Sequence, residues 1–219
     1  MKRLFIITLL LSIPMIGISQ TLEEINTPTV ARLDQIGSFS EGLAAVKKGN
    51  EWGFIDEDGK LVIGFRGDVV WNTTPNTAKL GIEGLSYPQF KNGLCSIKVV
   101  KEDGITRYGF MNKKGTIVIP AEFLNVSQFN DGYAVGIYES KTLRGKNPFQ
   151  LRIYQYDFTE VVVNTVGEML WPIQERQGIV MSKKLYELPE IHAAMISKKL
   201  LMVKDKANTW NIVKPKLQN

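Results

Sequence analysis

The fold of this chain is decided by a stretch of sequence that occurs twice. Residues 39–63 read FSEGLAAVKKGNEWGFIDEDGKLVI, and residues 90–119 read FKNGLCSIKVVKEDGITRYGFMNKKGTIVI. Each copy opens with Phe-x-x-Gly and continues to an aromatic-Gly-Phe element. The second copy is longer by five residues, which lie around Asp103-Gly104 between Ile97 and Tyr108, where a loop tip tolerates an insertion. An internal repeat of this length sets the architecture before any single strand is assigned.

Later parts of the chain carry weaker copies. Residues 129–135 repeat the opening, but the aromatic-Gly element does not follow. We expect residues 151–154 to fill its place and residues 159–162 to correspond to 116–119 of the second copy. A fainter similarity, in which 203–205 and 210–213 match 46–48 and 52–55, indicates either a capping repeat or chance.

Each full copy predicts three short strands. In the first copy these are 43–46, 52–55 and 60–63, which are rich in Val, Ile and aromatic residues and are separated by turn residues. The four-residue connections 56–59 and 112–115 end in Gly, which favours a hairpin turn with a left-handed last residue. The glycines that open the copies, Gly42, Gly93 and Gly132, are likewise expected at positive φ.

Three further positions have packing explanations. Gly53 and Gly109 fall inside a predicted strand, where Gly marks the close approach of a neighbour. We expect that neighbour to be an aromatic ring of the adjacent copy. The only cysteine, Cys95, aligns with Ala44 and Ala134, so a buried, unreactive thiol is expected there.

The repeat resembles a known family. Residues 52–56 with 58–60, preceded by 42–46, closely resemble the WG repeat family of bacterial β-repeat proteins, and 108–123 resembles a second repeat with Tyr in place of Trp. The resemblance covers about 36–135. It implies an all-β array of antiparallel β-hairpins in tandem, open in a solenoid-like or partial propeller-like form, with a binding or envelope role. The family has no shared catalytic residues, so none is carried over.

One helix is predicted on this β chain. Pro189 suits the first turn of a helix, and Glu190 would lie near its positive end. Ile191, Ala194 and Met195 would then share one face at helical spacing. We therefore expect a short helix over 189–199.

The N-terminus predicts export. Residues 1–3 are Met-Lys-Arg, 4–18 are almost wholly apolar, and Ser19 follows. The apolar run of about 15 residues is shorter than the roughly 20 of a spanning helix, so a cleaved signal peptide is favoured over an anchor. No cysteine lies directly after the apolar run, which argues against a lipoprotein. We expect a periplasmic or secreted protein that is not integral to the membrane.

The expected organisation has four parts. They are a signal peptide (1–19), an N-terminal leader (20–35), the repeat region (36–138), and a degenerate repeat with a basic C-terminal region (139–219). Residues 181–219 hold eight lysines against three acids, a net charge of +5, which equals that of the whole chain. This region either contacts an anionic surface or is a solvated face. Nucleic acid is not an expected partner of an exported chain.

Few residues could carry chemistry. The chain has one histidine, His192, and one cysteine, and neither belongs to a cluster, so we expect no catalytic residues, no metal and no cofactor. Calcium at Asp56, Asp58 and Asn112 is the open alternative, although turn chemistry explains those residues. An envelope-associated hydrolase or enzyme accessory is the alternative function. An acidic pair in a cleft would favour that alternative.

Binding is the favoured function. Repeated hairpins build a broad surface that can dock a strand or a glycan. The candidate contact residues are Trp71 and Trp171, which could equally fill the core, and Lys141, Arg144 and Lys146 in an expected exposed loop at 140–148. The sequence thus predicts an exported, non-catalytic binding or scaffold module for a protein or polysaccharide partner of the cell envelope.

Overall fold

Antiparallel β-strands make up nearly all of the regular structure in the described part of this chain. The computed structural model describes residues 26–217, so the predicted signal peptide lies outside the described residues. The chain divides into two compact segments, Met1–Ala31 and Arg32–Asn219. Residues 26–31 of the first segment form no strand, and every described strand lies in the second.

Thirteen strands are found among the described residues. They are β1 (Gln35–Ile36), β2 (Ala44–Lys48), β3 (Glu51–Ile55), β4 (Leu61–Arg66), β5 (Leu94–Val100), β6 (Thr106–Asn112), β7 (Ile117–Val126), β8 (Tyr133–Lys146), β9 (Arg152–Asn164), β10 (Met169–Arg176), β11 (Ala193–Ser197), β12 (Leu200–Lys204) and β13 (Trp210–Val213). They form three open sheets with the orders β1-β2-β3-β4, β10-β9-β8-β7-β6-β5 and β11-β12-β13. The predicted all-β class with antiparallel hairpins is confirmed. A single 3₁₀ turn spans Ile82–Gly84.

The helix predicted for 189–199 is wrong. Residues 189–192 are irregular and β11 follows, paired with β12. Ile191, Ala193 and Met195 are buried, whereas Ala194 is only partly buried. The apolar residues therefore follow a period of two, which the sequence also permits, and pairing with β12 selects the strand.

The turn glycines have the positive φ that the sequence predicts. Gly59 and Gly115 have φ of 75° and 77°. At the three copy openings both central residues have positive φ, as a two-residue type I′ hairpin requires. These pairs are Glu41-Gly42, Asn92-Gly93 and Asp131-Gly132.

Three-stranded units follow one another along the chain. They are β2–β4, β5–β7, β8–β10 and β11–β13, here called units 1 to 4. The segment that ends each of the first two units pairs with the first strand of the next, through Val69 with Ile97 and Val126 with Gly136. In front of unit 1, Ile36 of β1 pairs with Val46 in the equivalent register. β1 thus occupies the place that a preceding unit would fill.

The opening turns of successive units are linked by equivalent hydrogen bonds. The N–H of Gly93 donates to Glu41 Oε2 at 2.8 Å, and the N–H of Gly132 donates to Asn92 Oδ1 at 3.0 Å. The side chain at the first turn position of one unit therefore accepts a bond from the glycine of the next. This ladder fixes the spacing of the units along their exposed turns.

The core between units is also repeated. Phe90 of unit 2 contacts Phe54 of unit 1 edge-on, with centroids 4.9 Å apart, and Phe129 contacts Phe110 in the same way at 4.8 Å. Phe90 and Phe129 are buried, whereas Phe39 at the same position of unit 1 is 52% exposed. The opening Phe of a unit is therefore a ring that covers the unit before it.

The strand glycines have a different neighbour from the one predicted. A Cβ at Gly109 would lie 2.4 Å from Ile119 O, and one at Gly53 would lie 3.0 Å from Ile63 O. The close neighbour is thus the third strand of the same unit, and the prediction of a ring from the adjacent copy is wrong. The register shifts between the second and third strands bring that backbone over the glycine.

The register of unit 3 also differs from the prediction. Val161 pairs with Gly136 and Glu160 with Ile137, which places Glu160 where Trp52 and Tyr108 stand in units 1 and 2. Residues 151–154 instead lie at the far end of the β8–β9 hairpin. The β8–β9 hairpin is longer than the equivalent hairpins of units 1 and 2, and its extra residues are shared between the two strands. The sequence comparison therefore matched residues 151–154 and 159–162 to the wrong positions of the earlier copies.

The fourth copy is present as unit 4, but the predicted match of its strands to those of the first copy is shifted by one strand. The N–H of Thr209 donates to Asp205 Oδ1 at 2.9 Å, as that of Lys60 donates to Asp56 Oδ1 at 2.8 Å. The turn before β13 is therefore equivalent to the turn before β4. Trp210 consequently opens a third strand and is half exposed, unlike the buried Trp52.

Candidate binding surfaces

The most distinctive surface of the molecule is the outer part of the β8–β9 hairpin. β8 pairs with β7 only up to Tyr138, and β9 pairs with β10 only from Phe158 onward. Residues 140–157, here called the arm, pair only with each other among the described residues. The arm includes 140–148, so the predicted basic loop is in fact mainly the end of a strand. Its polar composition suggested a loop, but the cross-strand partners in β9 make it a ladder.

The arm collects three of the predicted contact residues. Lys141, Arg144 and Lys146 all lie on its β8 strand and are exposed. Lys141 Nζ lies 4.1 Å from the ring centroid of Tyr154, and Arg144 Nε donates to Gln155 Oε1 at 2.7 Å. These cross-strand contacts order the two strands relative to each other.

The two predicted tryptophans lie elsewhere and are partly buried. Trp71 contacts Trp52 edge-on with centroids 5.9 Å apart, and Lys47 Nζ lies 3.9 Å from the Trp71 ring. Trp171 lies on β10 and packs against the core of units 3 and 4. The structure therefore brings neither tryptophan to the arm, and both contribute to packing.

A second surface runs along the third strands. Leu61, Val62, Ile117, Val118 and Met169 are each between 38% and 50% exposed, and they occupy the second and third places after the turn glycine of their unit. We call these five side chains the apolar ridge. Sequence reasoning missed it, although a signal is visible. The adjacent aliphatic pairs Leu61-Val62 and Ile117-Val118 interrupt the apolar-polar alternation that is typical of a half-buried strand.

Contacts between units make the ridge positions neighbours. Arg66 Nη1 donates to Gly115 O at 2.8 Å, so the turn before Ile117 lies on the third strand of unit 1. A Cβ at Gly115 would lie 3.2 Å from Ile63, and one at Gly167 would lie 3.3 Å from Ile119. A groove of about 500 Å³ lies between residues 62–68 and 114–115.

A cleft with a volume of about 830 Å³ is lined in part by Arg176 and His192, which both donate hydrogen bonds to Glu160. Glu160 is fully buried and accepts hydrogen bonds from Arg176 Nη1 at 3.0 Å, from Gln174 Nε2 at 2.9 Å and from the His192 N–H at 2.7 Å. Burial and the positive charge of Arg176 both lower the pKa of His192. This network holds the start of unit 4 against unit 3.

The acidic side chains at the rim of the cleft are paired with a lysine. Lys79 Nζ lies 3.2 Å from Glu83 Oε2 and 3.0 Å from Glu190 Oε1. The hydrogen bond from Lys79 lowers the pKa of Glu190. A general acid for glycoside hydrolysis needs a carboxyl group with a raised pKa, and the pKa of Glu190 is shifted in the opposite direction.

The remaining candidate groups for chemistry are isolated. Burial raises the pKa of Cys95 to about 12, which leaves its thiol protonated. Within residues 26–217, no group of three or more His, Cys, Asp or Glu side chains is arranged to hold a metal ion. That part of the chain also contains no helix with the length and hydrophobicity needed to cross a membrane.

Comparison with known proteins places the repeats in a family. No curated protein and no solved structure gives a significant match to the chain. The family model described as WG containing repeat matches residues 31–52, 52–66 and 108–135, which cover unit 1 and the join between units 2 and 3. These three stretches of the chain therefore carry the WG repeat.

Proposed function

We propose that the chain is an exported, non-catalytic repeat module that binds a protein partner of the cell envelope. The observation that carries this proposal is the apolar ridge, because it places exposed apolar side chains at the equivalent position of three successive units. A repeat array that exposes the same apolar position in each unit offers an extended partner a series of equivalent contacts.

The chemistry of the ridge favours protein over polysaccharide. Four of its side chains are aliphatic and the fifth is the thioether of Met169, so they offer apolar contact and at most one weak acceptor to a hydroxyl group. The tryptophans that could stack on a sugar ring, Trp71 and Trp171, are partly buried in separate places. An extended protein segment with alternate apolar side chains matches the ridge better.

The proposal of a non-catalytic role rests on the electrostatics of the cleft. Lys79 pairs with both Glu83 and Glu190, and both carboxylate oxygens of the buried Glu160 accept hydrogen bonds. The proposal of export rests on residues 1–19, where a basic start precedes an apolar run.

Affinity capture from envelope extract tests the proposal. The bait is the chain from Gln20 onward, which contains every described residue. The ridge variant V62S/V118S is compared with V100S/I196S, which changes two exposed aliphatic residues that lie off the ridge. Because all four positions are exposed, the free energy of unfolding of each variant should lie within about 1 kcal/mol of that of the parent chain.

We expect the parent chain and V100S/I196S to retain the same proteins and V62S/V118S to lose them. Equal recovery by all three baits would exclude the ridge as the binding surface. Recovery of a glycan from extract that had first been digested with protease would contradict a protein partner.

A further inference from the structure

The arm has a charge distribution unlike the rest of the repeat array. Residues 140–156 contain Lys141, Arg144, Lys146 and Arg152 and no acidic residue. The nearest acids lie at its base, where Glu139 pairs with Arg107 and Asp157 accepts a hydrogen bond from Gln155. The arm therefore carries four cations against the single acid Asp157, a net charge of +3, on a two-stranded ladder whose outer edges are unpaired.

The apex of the arm is apolar. Phe149 is 82% exposed, the largest exposed fraction of any large hydrophobic side chain in the described part of the chain. Leu151 beside it is 64% exposed, and Leu143 and Ile153 follow on the two strands. Exposed aromatic and aliphatic residues at an apex, flanked by cations, are costly in water and suited to a boundary between water and an apolar phase.

The apex is held in a defined shape. Asn147 Oδ1 accepts hydrogen bonds from the N–H groups of Phe149 at 2.9 Å and Leu151 at 3.0 Å. Below it, the Lys141–Tyr154 and Arg144–Gln155 contacts join the strands. Little conformational freedom is therefore left to lose when the arm meets a surface.

We propose that the arm docks on an anionic lipid bilayer, with Phe149 and Leu151 entering the interface and the four cations contacting lipid phosphates. This goes beyond the proposed function, because it uses a different surface and does not depend on the ridge. Apolar side chains buried at the headgroup boundary and basic residues beside anionic lipids add their contributions to binding.

Two features favour lipid over an acidic protein surface. Lysine is depleted at protein interfaces, whereas half of the cations on the arm are lysines. The apex is also convex and carries its largest apolar side chain at the outermost turn, a shape that penetrates a soft interface without needing a matching pocket.

Vesicle sedimentation tests the proposal. The chain from Gln20 onward is used, because the apolar residues 4–18 would bind any vesicle by themselves. Vesicles of phosphatidylcholine alone are compared with vesicles that also contain phosphatidylglycerol. We expect at least about tenfold stronger binding to the anionic vesicles, and weaker binding as ionic strength rises.

Four variants assign the binding to residues. F149S/L151S and K146Q/R152Q change the arm. V99S/V100S changes exposed apolar residues on the equivalent, shorter hairpin of unit 2, and K198Q/K199Q removes two exposed cations from the basic C-terminal region. We expect each arm variant to lose at least about tenfold in vesicle binding and each control to retain it.

A direct readout of insertion comes from F149W. Its added fluorescence should shift to shorter wavelength with anionic vesicles, whereas that of V100W should not. The proposal is overturned if the chain does not sediment with anionic vesicles, in which case an acidic protein surface becomes the occupant to test. It is also overturned if K198Q/K199Q abolishes binding while the arm variants retain it, since the basic C-terminal region would then be responsible.

Discussion

Phe90 lies edge-on against Phe54, with ring centroids 4.9 Å apart and ring planes at 66°, and this contact joins unit 2 to unit 1. The same geometry recurs between Phe129 and Phe110. Phe39 occupies the equivalent position, and among the described residues no three-stranded unit precedes it. The repeat therefore contains its own control for the energy of this contact.

We predict that Phe90→Ala lowers the free energy of unfolding by about 3–5 kcal/mol, because it leaves a cavity between two units. Phe39→Ala should cost less than about 1 kcal/mol, because that ring is already half exposed. Urea unfolding of the two variants measures the difference. Equal losses would mean that the opening Phe stabilises its own unit and not the joint.

The strand glycine of unit 2 should not accept a methyl group. A Cβ at Gly109 would lie 2.4 Å from Ile119 O and 2.7 Å from Ala121 N, which are both backbone atoms. We predict that Gly109→Ala costs about 1–3 kcal/mol through forced backbone shifts. Gly64→Ala is the matched control, because a Cβ there meets nothing within 4 Å. A fall in thermal stability of similar size in both variants would argue against the steric explanation.

The buried pair Glu160–Arg176 should be sensitive to the loss of one partner. Arg176→Met leaves the fully buried Glu160 carboxylate without its cation, and we predict a loss of about 3–5 kcal/mol in the free energy of unfolding. The double variant E160M/R176M should lose less than R176M alone, because it also removes the stranded charge. Lys79→Met, which breaks a more exposed pair, should lower the free energy of unfolding much less than R176M does. A double variant as unstable as R176M would show that the charge of Glu160 is not the cause.

Acid should weaken the joint between units 1 and 2. The hydrogen bond from Arg66 lowers the pKa of Asp68, and the same guanidinium donates to Gly115 O of unit 2. Since the folded pKa lies below the unfolded value of about 3.9, the stabilisation is present above about pH 4 and is lost as the pH falls through the folded pKa. Urea unfolding as a function of pH should show this loss in the parent chain and a smaller one in Asp68→Asn. Identical pH profiles would remove Asp68 from the explanation.

The hairpins of this protein could be predicted from sequence because their determinants are local. A Gly at the end of a four-residue connection has few ways to serve a turn, and Gly59 and Gly115 adopt the positive φ that this chemistry requires. The all-β class followed from the same signals. Cys95 could also be placed, because alignment with Ala44 and Ala134 marks a position with room for only a small side chain.

The errors arose where distant pairing decides the outcome. At 189–199 the residues fit both a helical and an alternating period, and only β12 distinguishes them. In unit 3 the long arm increases the number of residues between the equivalent positions of the first and second strands. Glu160 could therefore not be recognised at the place of Trp52. The neighbour of Gly109 depends on a register shift between strands, for which the sequence carries no short-range signal.

The surfaces used in the two proposals were only partly visible in the sequence. The cations at Lys141, Arg144 and Lys146 were identified, but a stiff two-stranded arm with Phe149 at its apex was not. The apolar ridge was missed because exposure of Val62 or Ile117 depends on how units stack, which no single repeat reveals. Trp71 and Trp171 attracted attention by residue type, yet the structure uses them for packing.

The exposed ring of Phe39 has a consequence for how such a chain can lengthen. β1 already follows the pairing of a preceding unit, and among the described residues the Gly42 N–H lacks an acceptor equivalent to Glu41 or Asn92. A duplicated unit joined in frame before residue 35 would meet the exposed ring of Phe39, the N–H of Gly42 and the strand register of β1, which all match those at the other joints. The existing side chains at this end are therefore already suited to receive a further unit.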